Sequence, residues 1–282
     1  MNNAVIFGTF DGVHIGHRSV IENVKRKNVI AITFKIPPKF ATKENKNLLM
    51  QYEKRERALK KLGVNEICTL DFSDVCDMTA REFLDDVVRK FLPDVMACGY
   101  NFRFGKDALG NTEFLEHYCK ESGIKFKCSE QVKMYNRAVS SSYIRTLIEN
   151  GLVCKANTLM AEDFGFCTKV IDGDKRGRTI GFPTINQEYP KDLVIAKFGV
   201  YKANVLFNNK IYEAITNIGI RPTFKTDTVM AETHIFDFEH DVYGKDIEIH
   251  LKNFIREEKE FSNIQELKEA IQKDIKKVSH KK

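Results

Sequence analysis

The sequence predicts an α/β protein with an N-terminal doubly wound parallel sheet and a C-terminal small antiparallel β-barrel that ends in a helix. Three observations predict this architecture. Strand and helix patterns alternate from residue 4 to about residue 155, short strands joined by turns follow from about residue 160, and 282 residues exceed one average domain. We therefore expect two domains, 1–157 and 158–282.

The first half alternates short apolar segments with amphipathic ones. The apolar segments have the length and composition of strands that are buried in a parallel sheet; they are 4–7, 29–34, 66–70 and 94–98. The predicted helices are 53–62, 79–91 and 114–122. Thr79 and Glu82 have the spacing of a capping box at the start of the second of these helices. In such folds ligands bind beyond the carboxyl ends of the strands.

The second half has strand patterns without helices between them. The predicted strands are 166–171, 200–207, 210–218, 230–236 and 246–251. Asn208–Asn209 has the length and composition of a two-residue hairpin turn. A final helix is predicted from Ser262, with Gln265 completing a capping box. Its apolar stripe, which we expect to pack against the barrel, consists of Ile264, Leu267, Ile271 and Ile275.

Composition narrows the class of protein. The net charge of +6, from 45 basic and 39 acidic residues, suits the handling of small anions and is weak support for nucleic-acid binding. No apolar run has the length of a membrane span, and no secretory signal pattern occurs. Seven cysteines without a C-x-x-C pair are typical of reduced thiols. We therefore expect a cytoplasmic protein with no nucleic-acid or membrane partner.

The segment from Gly8 to His17 predicts a phosphate site. It follows a buried strand, and Gly8, Phe10, Asp11 and Gly12 lie in the tight turn that leads into a helix. Such a turn directs backbone N–H groups and the positive end of a helix dipole at one point. His14 and His17 then lie on the same side of the helix entrance as hydrogen-bond donors. The alternative is one buried structural histidine and one surface histidine.

Two further segments of the first half belong with this turn. Gly99–Gly105 follows the fourth strand, so Asn101 is a candidate ligand donor and Phe102 and Phe104 are candidates for an apolar wall. The alternative is an ordinary loop whose aromatic rings pack into the core.

The other segment is Ser140–Arg145, which begins a helix. Ser141, Ser142 and Arg145 lie where they can hold an anion. The alternative is a simple serine cap, worth about 1 kcal/mol.

These three motifs together resemble the adenylyltransferase half of bacterial bifunctional riboflavin kinase/FAD synthetases. The second half resembles the kinase half of the same family, in four segments: Gly177–Asn186, Gly199–Tyr201, Asn217–Phe224 and Glu232–Phe238 with Tyr243–Lys245 after it. A Walker A loop is excluded at 173–179, because its glycines are too close together and no helix follows.

The resemblance implies roles for individual residues. Glu232 matches the family's catalytic glutamate, whose alternative is an exposed strand glutamate, and His14, His17 and Arg145 would act in adenylyl transfer. Thr184 and Asn186 would bind Mg²⁺, because hydroxyl and amide oxygens suit a hard cation; the alternative is a turn with local hydrogen bonds. The residues that would bind ATP or its phosphates are Gly8, Phe10, Asp11, Gly12, Ser141, Ser142, Gly177, Gly181 and Thr184. Those that would bind the flavin are Asn101, Phe102 and Phe104.

The resemblance further implies the substrates riboflavin, FMN, FAD and ATP, with Mg²⁺ as cofactor. Riboflavin would be phosphorylated to FMN, and FMN would then be adenylylated to FAD with release of pyrophosphate. Metal binding by His14 and His17 is not expected, since no third ligand follows at zinc-site spacing.

The chain departs from the family pattern at three places. The usual Pro-Thr-Ala-Asn is Pro-Thr-Ile-Asn at 183–186, which keeps the functional side chains. A Leu-Gly-Arg-Pro-Tyr-like stretch is replaced by residues 160–164, Met-Ala-Glu-Asp-Phe. Lys35–Pro38 replaces a common His-Pro ending, so the flavin pocket of the first half is expected to differ.

Two other functions are compatible with parts of the sequence. One is a nucleotidyltransferase for a different phosphate, with the barrel as an accessory; Glu232, Thr184 and Asn186 argue against it. The other is a flavin-sensing protein without catalysis, against which the retention of both polar sets argues.

Overall fold

The computed structural model describes residues 3–25, 27–41, 43, 47–173, 181–222 and 227–278, without the side chains of residues 221, 222 and 227. The chain divides into two compact units. The first contains Met1–Ile144 and Leu159–Glu162, and the second contains Arg145–Thr158 and Asp163–Lys282. Within the described ranges, no helix has the length and apolar character needed to cross a membrane.

The first unit is built on a five-stranded parallel sheet, which confirms the predicted α/β architecture. Its strands are β1 (Asn3–Phe7), β2 (Asn28–Phe34), β3 (Glu66–Leu70), β4 (Val95–Gly99) and β5 (Lys125–Ser129). Their order is β3-β2-β1-β4-β5, and all neighbouring pairs are parallel. The order of the strands reverses between β1 and β4, so the crevice at their carboxyl ends is the place where such sheets bind ligands.

Helices connect these strands. They are α1 (Ile15–Glu22), α2 (Tyr52–Lys61), α3 (Phe72–Val75), α4 (Ala80–Phe91) and α5 (Thr112–Glu121). Two more helices, α6 (Ser141–Glu149) and α7 (Val153–Asn157), follow the last strand of the sheet, and their residues from Arg145 onward belong to the second unit. A two-stranded ribbon, β6 (Lys133–Met134) with β7 (Arg137–Ala138), precedes α6. The capping box predicted for α4 is confirmed, because the Glu82 N–H donates to the Thr79 hydroxyl and the Thr79 N–H donates to the Glu82 carboxylate.

One hydrophobic core lies between the sheet and α4 and α5. Alternate residues of β1 face it, Val5 and Phe7, because successive side chains of a strand point to opposite faces. The helices contribute Phe83, Leu84 and Leu115, among others, all of them buried. This packing fixes the strand ends, and therefore the loops that follow them.

The second unit contains the predicted small antiparallel barrel, which is closed and has six strands; the short strand at 185–188 was not predicted. Its strands are β8 (Gly165–Ile171), β9 (Ile185–Glu188), β10 (Gly199–Phe207), β11 (Lys210–Pro222), β12 (Asp227–Ile235) and β13 (Asp246–Arg256), in the order β10-β11-β12-β9-β8-β13. The hairpin turn at Asn208 and Asn209 is confirmed: both residues have left-handed backbone, with φ of 48° and 60°.

The last helix, α8 (Ile264–Val278), is capped one residue later than the sequence suggests. The Asn263 side chain accepts the N–H of Glu266 at 2.9 Å, and its amide donates to the Glu266 carboxylate at 3.2 Å. The predicted pair of Ser262 and Gln265 is therefore wrong. Asn caps a helix at least as well as Ser, and the acidic Glu266 is favoured in the first turn.

The apolar stripe of α8 packs on the barrel only in part. Ile271 and Ile275 contact a cluster that includes Val200 and Ile215, whereas Ile264 is exposed. An ion pair adds to this packing, since Arg256 Nε donates to Asp274 Oδ2 at 2.8 Å and Asp274 is only 2% exposed.

We expect Asp274→Asn to lower the free energy of unfolding of the second unit by about 1.5–3 kcal/mol, because it leaves Arg256 without its carboxylate partner. Urea unfolding of the full chain measures this. Glu257→Gln, which removes the exposed partner of Lys197, is the matched control and should cost less than about 1 kcal/mol. Equal effects of the two substitutions would contradict the prediction.

Candidate active sites

The turn between β1 and α1 has an unusual backbone. Phe10 and Val13 are left-handed, with φ of 48° and 38°, and Gly12 has φ of 83°. This conformation is costly for a β-branched residue such as Val13, and backbone strain of this kind occurs mostly at functional sites. Gly12 also has no room for a side chain, because a Cβ there would lie 2.8 Å from Cδ1 of Leu49.

His14 and His17 stack at the start of α1. Their ring centroids are 3.6 Å apart, with an angle of 18° between the planes. The backbone N–H of His14 donates to Nδ1 of His17 at 3.2 Å. Nδ1 of His17 is therefore an acceptor, and the neutral ring carries its proton on Nε2. The structure thus confirms that the two rings lie on the same side of the helix entrance.

His17 is neutral for electrostatic reasons. Burial lowers its pKa well below the ordinary value of 6.5, and the neighbouring His14 and Arg55 lower it further. A neutral imidazole with an Nε2–H is a hydrogen-bond donor that does not change with pH near neutrality.

Asp11 faces inward. It is 1% exposed, and its Oδ1 accepts the backbone N–H of Leu49 at 2.8 Å. Its backbone carbonyl accepts the Ser141 hydroxyl at 3.0 Å, so two of the sequence motifs meet here. Because its carboxylate is buried and hydrogen-bonded, Asp11 braces the turn and is not placed to accept a proton from a substrate.

Arg55, which the sequence analysis missed, is a second buried support of the turn. It is 1% exposed, and its guanidinium donates to the carbonyls of Thr9 at 3.2 Å, Phe34 at 2.5 Å and Lys35 at 2.9 Å. These bonds tie the end of β2 to the turn after β1. Burial lowers the pKa of Arg55, and the charge of Asp11 acts in the opposite direction. No local signal marks Arg55, which reads as one of several charged residues on α2.

The sequence analysis also missed a segment that reaches the turn from far along the chain. Leu159–Glu162, which we call the connector, forms an antiparallel bridge in which Met160 lies opposite His14. The Ile15 N–H donates to the Leu159 carbonyl at 2.9 Å, and the Ala161 N–H donates to the Val13 carbonyl at 3.0 Å. Its position in the divergent stretch at 160–164 was the only signal of its importance.

The three residues predicted to bind the flavin lie at different depths in the loop after β4. Asn101 is exposed at the carboxyl end of the sheet. Phe102 is half-buried and stacks on Phe7, with centroids 5.3 Å apart, and on Phe104, with centroids 5.1 Å apart. Phe104 is 8% exposed and belongs to the hydrophobic core described above. Asn101 and Phe102 are thus the two that a ligand can reach.

The serine motif begins α6. Ser140 accepts the Tyr143 N–H at 3.2 Å and so caps the helix. Ser142 is exposed, whereas Arg145 is 7% exposed and lies one turn further on, in the part of the helix that belongs to the second unit.

In the barrel, three polar residues form a row across neighbouring strands. Glu232 on β12 lies directly opposite Asn186 on β9 and opposite Asn217 on β11. Residues paired in this way share one face of the sheet. Glu232 is exposed and Asn186 is 7% exposed, so the row has an open carboxylate beside a buried amide.

Neighbouring residues complete this site. Thr184, half-buried, immediately precedes β9. Asn217, which sequence analysis did not single out by itself, donates to the Glu258 carboxylate at 2.8 Å. Gly181 has left-handed backbone with φ of 85°, and Gly177 lies outside the described residues.

The residues present fit a magnesium ion bound jointly with nucleotide phosphates. Thr184 and Asn186 offer neutral oxygens, and the loop after β8 lies directly over Asn186, where a Cβ on Gly173 would be 2.2 Å from the amide nitrogen. Over the described ranges, no group of three His, Cys, Asp or Glu side chains could hold a metal. Mg²⁺ needs no such group when phosphates and water complete its octahedron.

Comparison with known proteins gives a family for each half of the chain. Residues 1–143 match the family model of FAD synthetase, and residues 160–281 match that of riboflavin kinase. The bifunctional riboflavin kinase/FMN adenylyltransferase of Bacillus subtilis is 32% identical, over 96% of this chain and 90% of that protein. The protein of the same description from Haemophilus influenzae is 30% identical, over 96% of this chain and 92% of its own.

A solved structure agrees over the full length. The crystal structure of a protein from Streptococcus pneumoniae, described as a macrolide-efflux protein, superposes with a TM-score of 0.90 at 27% identity, covering 99% of this chain and 95% of that one. With both family models matched and relatives of about one third identity aligned end to end, the chain belongs to the bifunctional riboflavin kinase/FMN adenylyltransferases, which convert riboflavin to FMN and FMN to FAD.

Proposed function

We propose that the two reactions of this enzyme take place at the two sites described above, with adenylyl transfer in residues 1–157 and riboflavin phosphorylation in residues 158–282. The observation that carries this assignment is the placement of carboxylates. Asp11 is buried and hydrogen-bonded inside the turn, whereas Glu232 is exposed in a polar row of the barrel.

In adenylyl transfer, a phosphate oxygen of FMN attacks the α-phosphorus of ATP and pyrophosphate leaves. The FMN phosphate is already charged at neutral pH, since its second pKa is about 6. No base is therefore required, and the site must position the two anions and stabilise the charge that develops. His14, the neutral Nε2–H of His17 and Ser142 supply donors for this task, and the family resemblance alone adds Arg145.

The remaining residues of the first site support the turn or bind a substrate. Gly8, Phe10, Asp11, Gly12 and Ser141 form the phosphate turn and its brace, in which Ser141 holds the Asp11 carbonyl. Asn101 and Phe102 contact the flavin, while Phe104 supports Phe102 from the core by ring stacking.

In phosphorylation, the ribityl hydroxyl of riboflavin attacks the γ-phosphorus of ATP and ADP leaves. A hydroxyl is a poor nucleophile until it loses its proton, and a positioned base contributes about 10²- to 10⁴-fold. Glu232 accepts this proton on its carboxylate. Gly181 would bind the ATP phosphates, and the family resemblance gives Gly177 the same role.

Thr184 and Asn186 would hold the Mg²⁺ ion. When bound, the ion neutralises phosphate charge in the transition state. Asn217, fixed by its hydrogen bond to Glu258, borders Glu232 on the side opposite Asn186 and limits where that carboxylate can point.

Two further proposals concern the enzyme in the cell. FMN made in the barrel leaves it and rebinds at the other site, because no feature of the sequence indicates a tunnel. All seven cysteines are free thiols, which supports a cytoplasmic, reducing environment.

We expect Glu232→Gln to lower riboflavin phosphorylation by about 10²- to 10⁴-fold, because the amide cannot accept the proton. The same variant should convert supplied FMN to FAD at the normal rate, and chromatography of the flavins over time measures both steps. Equal loss of the two reactions would contradict the division of labour.

We expect His14→Ala to lower FAD formation from FMN by about 10²- to 10³-fold, the usual cost of removing a donor to a developing negative charge. Riboflavin phosphorylation in the same preparation is the internal control and should stay unchanged. Undiminished FAD formation would exclude the turn as the adenylyl-transfer site.

The pH dependence of adenylyl transfer tests the state of His17. The pKa of His17 lies well below the ordinary value of 6.5. The ring therefore stays neutral and keeps its Nε2–H donor when the pH falls through 6.5. We expect kcat at saturating FMN to show no step there, while kcat/KM for FMN falls below about pH 6 as free FMN is protonated. A step in kcat at the ordinary histidine pKa would show that His17 titrates normally.

A further inference from the structure

We propose that the connector, Leu159–Glu162, is a positioning element of the adenylyl-transfer site. It follows α6 and α7 in the chain and lies beyond the segment that matches the FAD synthetase model, residues 1–143. The inference rests on the proposed assignment of the phosphate site to the turn after β1, and it extends that site past the boundary expected at 157/158.

The connector holds the backbone on either side of His14. The Ile15 N–H donates to the Leu159 carbonyl at 2.9 Å, and the Val13 carbonyl accepts the Ala161 N–H at 3.0 Å. His14 is thus fixed through both of its chain neighbours. The bond to Val13 acts on a residue whose backbone is left-handed, with φ of 38°, and therefore helps to keep a conformation that valine alone does not favour.

A carboxylate fixes the other end of the connector to α2. Glu162 accepts Lys61 Nζ at 2.7 Å and an Arg57 guanidinium nitrogen at 3.3 Å. Its side chain is 10% exposed, whereas those of Arg57 and Lys61 are 42% and 64% exposed. Burial by itself would raise the pKa of Glu162, but the hydrogen bonds from Lys61 and Arg57 outweigh it and hold the pKa below its ordinary value. The carboxylate is therefore charged at neutral pH and keeps both partners.

The same helix supports the turn from a second direction. Arg55 of α2 donates to the Thr9 carbonyl at 3.2 Å, on the β1 side of the turn, while the connector reaches the α1 side. Helix α2 thus anchors both ends of the segment that would bind ATP phosphates. Errors of about 1 Å in such a site cost on the order of 10²-fold in rate, so loss of the connector is expected to act on catalysis without any contact to substrate.

The kinetic signature follows from what the connector touches. It contacts the chain neighbours of His14 in the turn proposed to bind the nucleotide, and its described contacts include none of the proposed flavin residues. We expect its loss to lower kcat and to raise KM for ATP in the adenylyl step, with KM for FMN unchanged.

The test compares variants of the full chain. Ala161→Pro removes the N–H that Val13 accepts, and because the Ala161 side chain is exposed nothing else is lost from a core. Ala161→Ser keeps the N–H and should rescue the activity. Glu162→Gln weakens the anchor on α2 and leaves the backbone as it is. Glu121→Gln, which removes an exposed partner of Arg81 in the same unit, is the matched control for loss of a carboxylate.

We expect Ala161→Pro to lower kcat/KM for ATP in FAD formation by on the order of 10²-fold and Glu162→Gln to lower it by about tenfold. Riboflavin phosphorylation by the same preparations should stay within about twofold of the unaltered enzyme. Unchanged FAD formation in both variants, or loss of both reactions to the same extent, would overturn the proposal.

His14→Ala, measured in parallel, separates this proposal from the one on which it rests. If His14→Ala forms FAD normally, the assignment of the turn is wrong. If His14→Ala is inactive while Ala161→Pro and Glu162→Gln are fully active, only the role of the connector is wrong.

Discussion

A hydroxyl has to lose a proton before it can attack phosphorus, whereas a phosphate oxygen is already charged, and this difference governs where the chain places its carboxylates. The acid in the turn after β1, Asp11, is buried and directed at the Leu49 N–H. The acid in the barrel, Glu232, is exposed between two amides. The first carboxylate therefore supports the turn, and the second is the one that we propose as the base.

The turn depends on buried polar contacts as well as on apolar packing, in which Phe10 and Val13 are fully buried. Its left-handed residues, Phe10 and Val13, are opposed by local conformational preference and need support from outside. Arg55 provides it through three backbone carbonyls, and its buried Nε has no hydrogen-bond partner within the described ranges. A buried cation in this role carries a desolvation cost. Its charge also adds to the effects of burial and of His14, which lower the pKa of His17 and keep that ring neutral.

Much of the architecture could be predicted from local patterns, for physical reasons. Strands such as Glu66–Leu70 are short runs rich in apolar and β-branched residues, and the start of α4 is marked by side chains that bond to nearby backbone. The Asn208–Asn209 turn could also be predicted, because asparagine adopts left-handed backbone more readily than most residues. The predicted start of α8 was wrong by one residue. Ser262 and Asn263 are both good N-cap residues, and the sequence does not show which of them caps the helix.

The supports of the first site could not be predicted in this way. Arg55 bonds to a carbonyl 46 residues away, and the connector pairs with a turn at the other end of the first unit's chain. Neither Arg55 nor the connector is marked by apolar periodicity or by a turn motif. A backbone carbonyl can accept a hydrogen bond from any donor that the fold brings near it, so such contacts leave no local sequence pattern. The burial of Phe104 is similar: the motif indicates an aromatic loop, but only the packed sheet and helices decide which ring faces the core.

The solvent isotope effect on single turnovers of the unaltered enzyme is the sharpest test of where a proton is removed, because it reports proton transfer in each reaction without any substitution. We predict that riboflavin phosphorylation slows in D₂O and that adenylyl transfer to FMN proceeds at the same rate in both solvents. An isotope effect on adenylyl transfer as large as that on phosphorylation would contradict the view that only one of the two sites removes a proton.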